Sequence, residues 1–420
     1  MTSFKQKTYL FLPSEVGMAH ILRCAAIAHE LHSRGNKVLM ALPKRKKNLL
    51  RNFPVEIVEI PQQFINDTDS IVNIDNLHKK ENLINNLEIH TQIFNKYKPD
   101  ALIVDNLFPA LFSGRMHSIR VFALFNGQSI PFGCTHPGLT KNSILNAILR
   151  ITLPILWQAH VRVHIADAVN ILSKHGHQGG ERAWLNEIHF IVPEPPFYFP
   201  LPVHRDNVHH IGNLCWNTFD SPIPSWLDSL KKDGNTVYVS FGGTGFSKEI
   251  LFAVVDNLLH ADYRVVVTTG TICDPSEFPQ HPHLFVARMI PSLQISPRVD
   301  VTVCHGGYGT MLDSIKSGTP VVAVPFNPDQ MLHSLRMQEL GCARTQTFFR
   351  PIDVYNTLAL RWSAIQSMCE KISPLGVVSM VQEVLEDVKT YQRKIAVFNS
   401  QYPDLDGAIE ASNIIEKNTP

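Results

Sequence analysis

CHGGYGTMLD, residues 304–313, is the stretch on which the fold turns. It continues the apolar run Val301–Cys304, whose β-branched residues suit a buried strand, and leads into a helical pattern that starts near Thr310 and stops at Gly318. Gly306, Gly307 and Gly309 let the backbone turn tightly and approach a ligand closely. A strand, a glycine turn and a helix N-terminus in that order present unpaired N–H groups and a partial positive charge, which suits an anion such as a diphosphate. His305, at the strand end, can add a side-chain donor. Asp313 falls about one turn past Thr310 on nearly the same face, where a carboxylate could accept ribose hydroxyls. A bare G-G-x-G serves equally well as a plain tight turn, so its surroundings must decide.

Residues 320–325 form another apolar run, and Asn327-Pro-Asp-Gln330 follows it. That places Asp329 and Gln330 at the carboxyl end of a strand, the edge where open α/β sheets bind ligands; side by side they can accept from and donate to a sugar's hydroxyls. Upstream, Ser240-Phe-Gly-Gly-Thr-Gly245 repeats the strand, turn and helix order, with Gly243 and Thr244 as phosphate-facing groups. Short β-rich runs alternate with helical patterns on both sides: residues 8–12, 38–42, 101–105 and 121–125 in one half, 237–241, 264–268, 284–287, 301–304 and 320–324 in the other. Cys24, Ile27, Ala28 and Leu31 recur at helical spacing, so residues 20–33 form an amphipathic helix ended by Gly35. The result is two parallel α/β halves. A proline-rich stretch from Pro193 to Pro224 breaks the periodicity between them, and residues 66–86 and 416–420 read as loosely structured.

The 420 residues suffice for two domains, and 44% hydrophobic with 18% charged residues is globular composition. Lys plus Arg (38) against Asp plus Glu (37) leaves +1, so no global field draws the chain to nucleic acid or an anionic membrane. Seven scattered cysteines without a Cys-x-x-Cys pair argue for reduced thiols in a cytoplasmic setting. Pro13 and Glu15 interrupt the first apolar run too early for a signal peptide, and no stretch reaches the roughly 18 apolar residues of a membrane span.

The order H-G-G-x-G-T, an acidic residue three on, G-T-P, a buried strand and P-x-x-D-Q resembles the donor signature of nucleotide-sugar glycosyltransferases of the GT-B fold, family 1, bacterial natural-product type. The resemblance spans the chain. It implies two Rossmann-like domains with parallel sheets facing a central cleft: residues 1–205 for the acceptor, a linker at 206–235, residues 236–398 for the donor, and a C-terminal helix at 399–420 crossing back. It also implies a nucleotide-diphosphate sugar (UDP or dTDP) as co-substrate, held by Gly243, Thr244, Ile290, His305, Gly307, Gly309, Thr310, Asp313, Asp329 and Gln330, with no other cofactor. In the family a His opens the first helix and a strand-end Asp supports it. Here A-H-I-L-R-C…R-G and P-D-A-L-I-V-D-N supply His20 and Asp105. An imidazole can take an acceptor hydroxyl's proton while a carboxylate on its other nitrogen fixes the tautomer.

Several positions depart from the family. Met289-Ile-Pro-Ser292 stands where a base-stacking W-x-P-Q is common, leaving the Ile290 backbone to meet the base. Asp313 replaces the commoner Glu, His333 an Asn, and Arg23 a Pro. The expected activity is inverting transfer of a hexose to a hydroxyl of a small, apolar or aromatic acceptor. Phe132, Trp157, Trp184, Phe190, Phe197, Tyr198 and Phe199 are candidates to line the acceptor site, or equally to fill the core. Residues 144–157 offer a second route, an interfacial helix reading a lipid acceptor, against which Arg150 and Pro154 count. His175-Gly-His177, His209-His210 and His281-Pro-His283 each look like half a metal site without a third ligand, so no metal is expected. Expected partners are the donor and a small-molecule acceptor, not nucleic acid or an inserted membrane segment, with a homodimer left open. A nucleotide-sugar epimerase or hydrolase on the same scaffold, or a non-catalytic nucleotide-sugar-binding protein, would share the donor site.

Overall fold

The structure is a computed structural model that describes residues 6–15, 18–50, 53–61, 80–130, 147, 152, 185–201, 203–214, 223–242, 248–326, 328–346, 372–402 and 406–420. Gly243, Thr244, Phe132, Trp157, Trp184, His175, His177 and the 144–157 helix candidate, apart from Ala147 and Thr152, lie outside the described residues.

Strands β1 (Thr8–Pro13), β2 (Lys37–Pro43), β3 (Glu56–Ile60), β4 (Ala101–Asp105), β5 (Arg120–Leu124), β6 (His189–Val192) and β7 (Val208–His210) form one sheet, with neighbours parallel throughout. Its order is β3-β2-β1-β4-β5-β6-β7. Strands β8 (Thr236–Ser240), β9 (Arg264–Thr268), β10 (Leu284–Ala287), β11 (Val301–Cys304), β12 (Val321–Ala323) and β13 (Ala343–Thr345) form a second parallel sheet, ordered β10-β9-β8-β11-β12-β13. Both are covered on two faces, which is why their central strands read as unbroken apolar runs rather than alternating ones. The GT-B expectation of two parallel α/β sheets is met.

Helices α1 (Ala19–Ser33), α2 (Lys80–Tyr97) and α3 (Phe108–Met116) clothe the first sheet. Ile21, Cys24, Ile27 and Leu31 of α1 pack under Tyr9, Phe11 and Met40 on one face, while Ile93 and Phe94 of α2 and Leu111 of α3 pack with Leu10, Leu102 and Val104 on the other. The second sheet is covered by α4 (Lys248–His260), by the short α5 (Ser292–Ile295), whose Ile295 clusters with Tyr238 of β8 and Val266 of β9, then by α6 (Tyr308–Lys316), α7 (Pro328–Glu339), α8 (Pro374–Glu386) and α9 (Val388–Gln401). Finally α10 (Gly407–Asn418) leaves that sheet and lies on α1, burying Ala411 and Ile415 in the first core.

Three expectations need correcting. Residues 80–86, the described part of the segment read as loose, belong to helix α2 (Lys80–Tyr97); Ile93 and Phe94, one face of α2, are buried in the core although the helix is polar on average. The tail is ordered too: Arg34 Nη1 donates to Glu416 Oε2 at 2.7 Å, and Lys7 Nζ donates to the Thr419 carbonyl at 2.6 Å. The irregular middle stretch also contributes β7, whose pairing with β6 carries the first sheet past residue 205. At Gly407 there is no room for a side chain: a Cβ would collide with the carbonyl oxygens of Gly212 and Asn213. No helix among the described residues is long and apolar enough to cross a membrane.

Candidate active site

Strand order reverses between β1 and β4 in the first sheet and between β8 and β11 in the second. A parallel sheet opens a crevice at such a point, outside the carboxyl ends of the strands. His20 starts α1 just after β1, and Asp105 is the last residue of β4. The glycine turns sit at the ends of β8 and β11.

In the first crevice His20 Nδ1 lies 2.8 Å from Asp105 Oδ1, with the histidine side chain 20% exposed and the aspartate buried. A carboxylate only accepts, so the shorter contact puts a proton on Nδ1 even though Arg23 Nη2 lies 3.2 Å from the same nitrogen, and in the neutral ring Nε2 then keeps its lone pair. Arg23, one turn along α1, clamps the same carboxylate: Nη2 donates to Oδ1 at 2.6 Å and Nε to Oδ2. Burial alone would raise the Asp105 carboxyl, but the Arg23 guanidinium and His20 outweigh it and hold the group below its ordinary value. The position where a Pro is common in the family therefore carries an ion pair. Cys24 Sγ approaches Asp105 Oδ2 at 4.0 Å from beneath, and burial pushes that thiol well up.

In the second crevice the turn after β11 depends on missing side chains. Gly306 has φ +79°, and a Cβ there would meet Ser334 Oγ and the Gln330 carbonyl oxygen. A Cβ on Gly307 would stand 2.5 Å from His305 Nε2, while one on Gly309 would meet none of the described residues within 4 Å. Gly307 is the N-cap of α6 and has no side chain to cap with, so among the described residues no N-cap side chain occupies the first-turn N–H groups, Gly309 and Thr310 among them. Burial lowers His305 to about 4, so its ring is neutral. Its Nδ1 is 3.4 Å from the Ser240 carbonyl; donating to a phosphate calls for the Nε2–H tautomer instead. Asp313 Oδ2 accepts from Ser292 Oγ at 2.6 Å, so the expected ribose ligand is already oriented by the turn that contains Ile290. The Ile290 side chain is buried.

Asp329 and Gln330 open α7 but face different ways. Asp329 is 54% exposed. Gln330 is buried, and its Oε1 accepts from the Phe326 N–H at 2.8 Å, which stiffens the turn leading into the helix. Its carbonyl is thus a brace, an outcome the D-Q pattern did not suggest.

Side chains absent from the sequence-based site join the two crevices. Asn126 and Gln128, just past β5, reach His333 of α7 at 3.0 and 2.8 Å, and Gln128 Nε2 donates to Asp329 Oδ1 at 2.6 Å. Nearby Glu194 is buried, accepts from the Gly127 N–H at 2.9 Å, and is pushed up to about 8 by burial. The carboxyl-end rule applied to β5 would have flagged Asn126 and Gln128; nothing local marks Glu194. The aromatics of the proline-rich stretch do not line an open hollow: Tyr198 and Phe199 are buried against α6 and α7, and Phe197 packs on Phe398. His281 and His283 form an edge-to-face pair, and His209 sits 3.1 Å from His189. A cavity of about 540 Å³ at the ends of β2 and β3 is lined by Lys44, Arg45 and Glu59 with Pro43, Ile60 and Pro61, so its rim is charged.

Comparison with known proteins fits this architecture. Residues 140–358 match the UDP-glucoronosyl and UDP-glucosyl transferase family. The chain is 24% identical over 80% of its length to a PGL/p-HBAD biosynthesis rhamnosyltransferase of Mycobacterium bovis, covering 76% of that protein. Among solved structures, the glycosyltransferase of kitacinnamycin superposes with a TM-score of 0.67 at 17% identity, covering 99% of this chain and all of that one. The spinosyn rhamnosyltransferase SpnG complexed with thymidine diphosphate gives 0.65 at 13% identity over 98% of this chain and 100% of that one. With its family match covering more than half its length, the chain belongs to the UDP-glucoronosyl and UDP-glucosyl transferase family and is a glycosyltransferase of the GT-B fold.

Proposed function

We propose that the protein is an inverting glycosyltransferase that moves a hexose from a UDP- or dTDP-sugar to a hydroxyl of a small, apolar or aromatic acceptor. The observation that carries this reading is the 2.8 Å contact of His20 Nδ1 with buried Asp105, which leaves Nε2 as a base at the first switch point. Nε2 takes the acceptor's hydroxyl proton as that oxygen attacks C1 of the donor sugar. The bond from C1 to the diphosphate breaks, the nucleoside diphosphate leaves with the electron pair, and a single displacement inverts C1. Asp105 stabilises the imidazolium that results.

The first turn of α6 supplies N–H groups for the leaving diphosphate, with Thr310 beside them, and such preorganised donors stabilise charge as it develops, without a divalent ion. Gly243 and Thr244 after β8 complete this cradle in the proposal. Asp313 takes the ribose, the Ile290 backbone the base, and Asp329 with Gln330 the sugar. The names of the rhamnosyltransferase relative and of the thymidine diphosphate complex favour a dTDP-linked 6-deoxyhexose among the donors.

The test is incubation with a panel of nucleotide sugars and phenolic or aliphatic alcohols, with the anomeric configuration of the product read by NMR. Inverted product that disappears in His20→Ala supports the reading. Retained configuration, or sugar released to water at the same rate with and without acceptor, overturns it.

A further inference from the structure

The side chains between the two crevices form an unbroken line. Arg23, which clamps Asp105, donates from Nη1 to Asn126 Oδ1 at 2.6 Å. A guanidinium has no acceptor, so this contact fixes the Asn126 amide with its NH2 toward His333 Nε2, 3.0 Å away. At the other end the Asp329 carboxylate has no proton to give, so Gln128 must present its NH2 there, and the same nitrogen reaches His333 Nε2 at 2.8 Å. Two amides therefore converge on one ring nitrogen, which has to accept. The proton of His333 then sits on Nδ1, 3.3 Å from Tyr198 Oη, whose own hydrogen goes to the His333 carbonyl at 3.2 Å. Arg336 braces that tyrosine by donating to the backbone carbonyls of Phe197 and Tyr198. Burial lowers His333 to about 4, consistent with a ring that stays neutral and accepting.

We infer that Gln128 and His333 are positioning residues for the donor sugar: clasped together, they hold one oxygen of Asp329 and aim the other at a sugar hydroxyl, in register with the His20–Asp105 pair. Resting on the proposed glycosyl transfer, this extends the sugar site to the first sheet, through a residue that touches Asp329 rather than the reacting atoms. Asp329 is half-exposed, so the sugar can still reach its second oxygen, whereas Gln128 is buried and cannot be replaced by water without opening the contact between the sheets.

Calorimetric titration of the full chain with dTDP and dTDP-rhamnose, and with UDP and UDP-glucose, separates the possibilities. In Gln128→Leu and His333→Leu the affinity for the nucleotide sugar should fall tenfold or more, while that for the bare nucleoside diphosphate stays within twofold. The diphosphate thereby also reports an intact fold. His333→Asn, whose Oδ1 can accept the amides, should recover much of the loss, and the turnover defect should appear in the donor KM before kcat. Equal losses for sugar and diphosphate would make the cluster merely structural and overturn the inference, as would unchanged nucleotide-sugar affinity in both Leu variants. Failure of the unmodified protein to bind any of the four compounds would instead overturn the functional reading, and the inference with it.

Discussion

At its switch point the first sheet gathers charged side chains; at the corresponding point the second sheet removes side chains altogether. His20, Arg23 and Asp105 are a dense, mutually bonded group in which one buried carboxylate serves both an imidazole and a guanidinium. The turn at residues 305–309 is backbone laid bare, and a methyl group at Gly306 or Gly307 would strike its neighbours. Under the proposed reaction the difference follows from what each half would have to do. Moving a proton needs a titratable group whose tautomer is fixed, while meeting a diphosphate needs several N–H donors and room for two phosphoryl groups. A side-chain site fails when one partner is cut away, and a backbone site fails when something is added.

The largest effect that sharpens this contrast is on catalysis. His20→Ala should lower kcat by about 10²–10⁴-fold, the usual worth of a general base, with donor affinity by calorimetry unchanged; loss of donor binding would break the division of labour between the crevices. Next comes stability. Arg23→Ala should cost about 3–5 kcal/mol in urea unfolding, because it leaves the buried Asp105 carboxylate without its guanidinium; a cost near zero would mean that His20 alone suffices.

Glu194→Gln should have a smaller, pH-dependent effect. Its carboxyl is raised in the folded state, so the fold holds a proton that the unfolded chain releases, and stability is lost as pH rises from about 4.5 to about 8. The amide keeps an acceptor for the Gly127 N–H without that loss, so unfolding free energies from denaturant titration should match at the acid end of the window and favour the variant by a few kcal/mol at the alkaline end. Gly309→Ala is the mildest. With none of the described residues within 4 Å of that Cβ and a helical position, folding should gain no more than about 1 kcal/mol, so any fall in nucleotide-sugar affinity reports a ligand lying against the first turn of α6.

How far the sequence alone reached differed between the two crevices for a related reason. Glycines beside a β-branched strand are a local signal, and the turn after β11 lies where residues 304–313 suggested. Strands buried on both faces advertise themselves in the same way, and several were placed to within a residue. Arg23, Asn126, Gln128, Glu194 and His333 become neighbours only when β1, β4, β5 and α7 are brought together, and no spacing along the chain encodes that meeting. Likewise the first turns of α2 (residues 80–86) and the chain end from 416 read as loose because polar residues dominate there, and the buried faces of α2 and α10 show only against a neighbouring sheet. For the aromatic run 197–199 the sequence leaves acceptor lining and core filling equally open, and the second holds: Tyr198 and Phe199 are buried, with Arg336 of α7 donating to the Tyr198 carbonyl.

The close fit at Gly407 has a mechanical corollary. The chain changes sheets twice, between β7 and β8 and again between α9 and α10, and just past β7 the carbonyls of Gly212 and Asn213 lie against Gly407 at the start of α10. Two bodies strung on a single thread can swivel in any direction, but two threads pinned side by side leave chiefly a rocking motion about the pin. Any opening that admits a donor should therefore swing widest at the far rim and hardly at all beside residue 407, so a bulky residue at that knot would stiffen or misalign the whole molecule from a point remote from the chemistry.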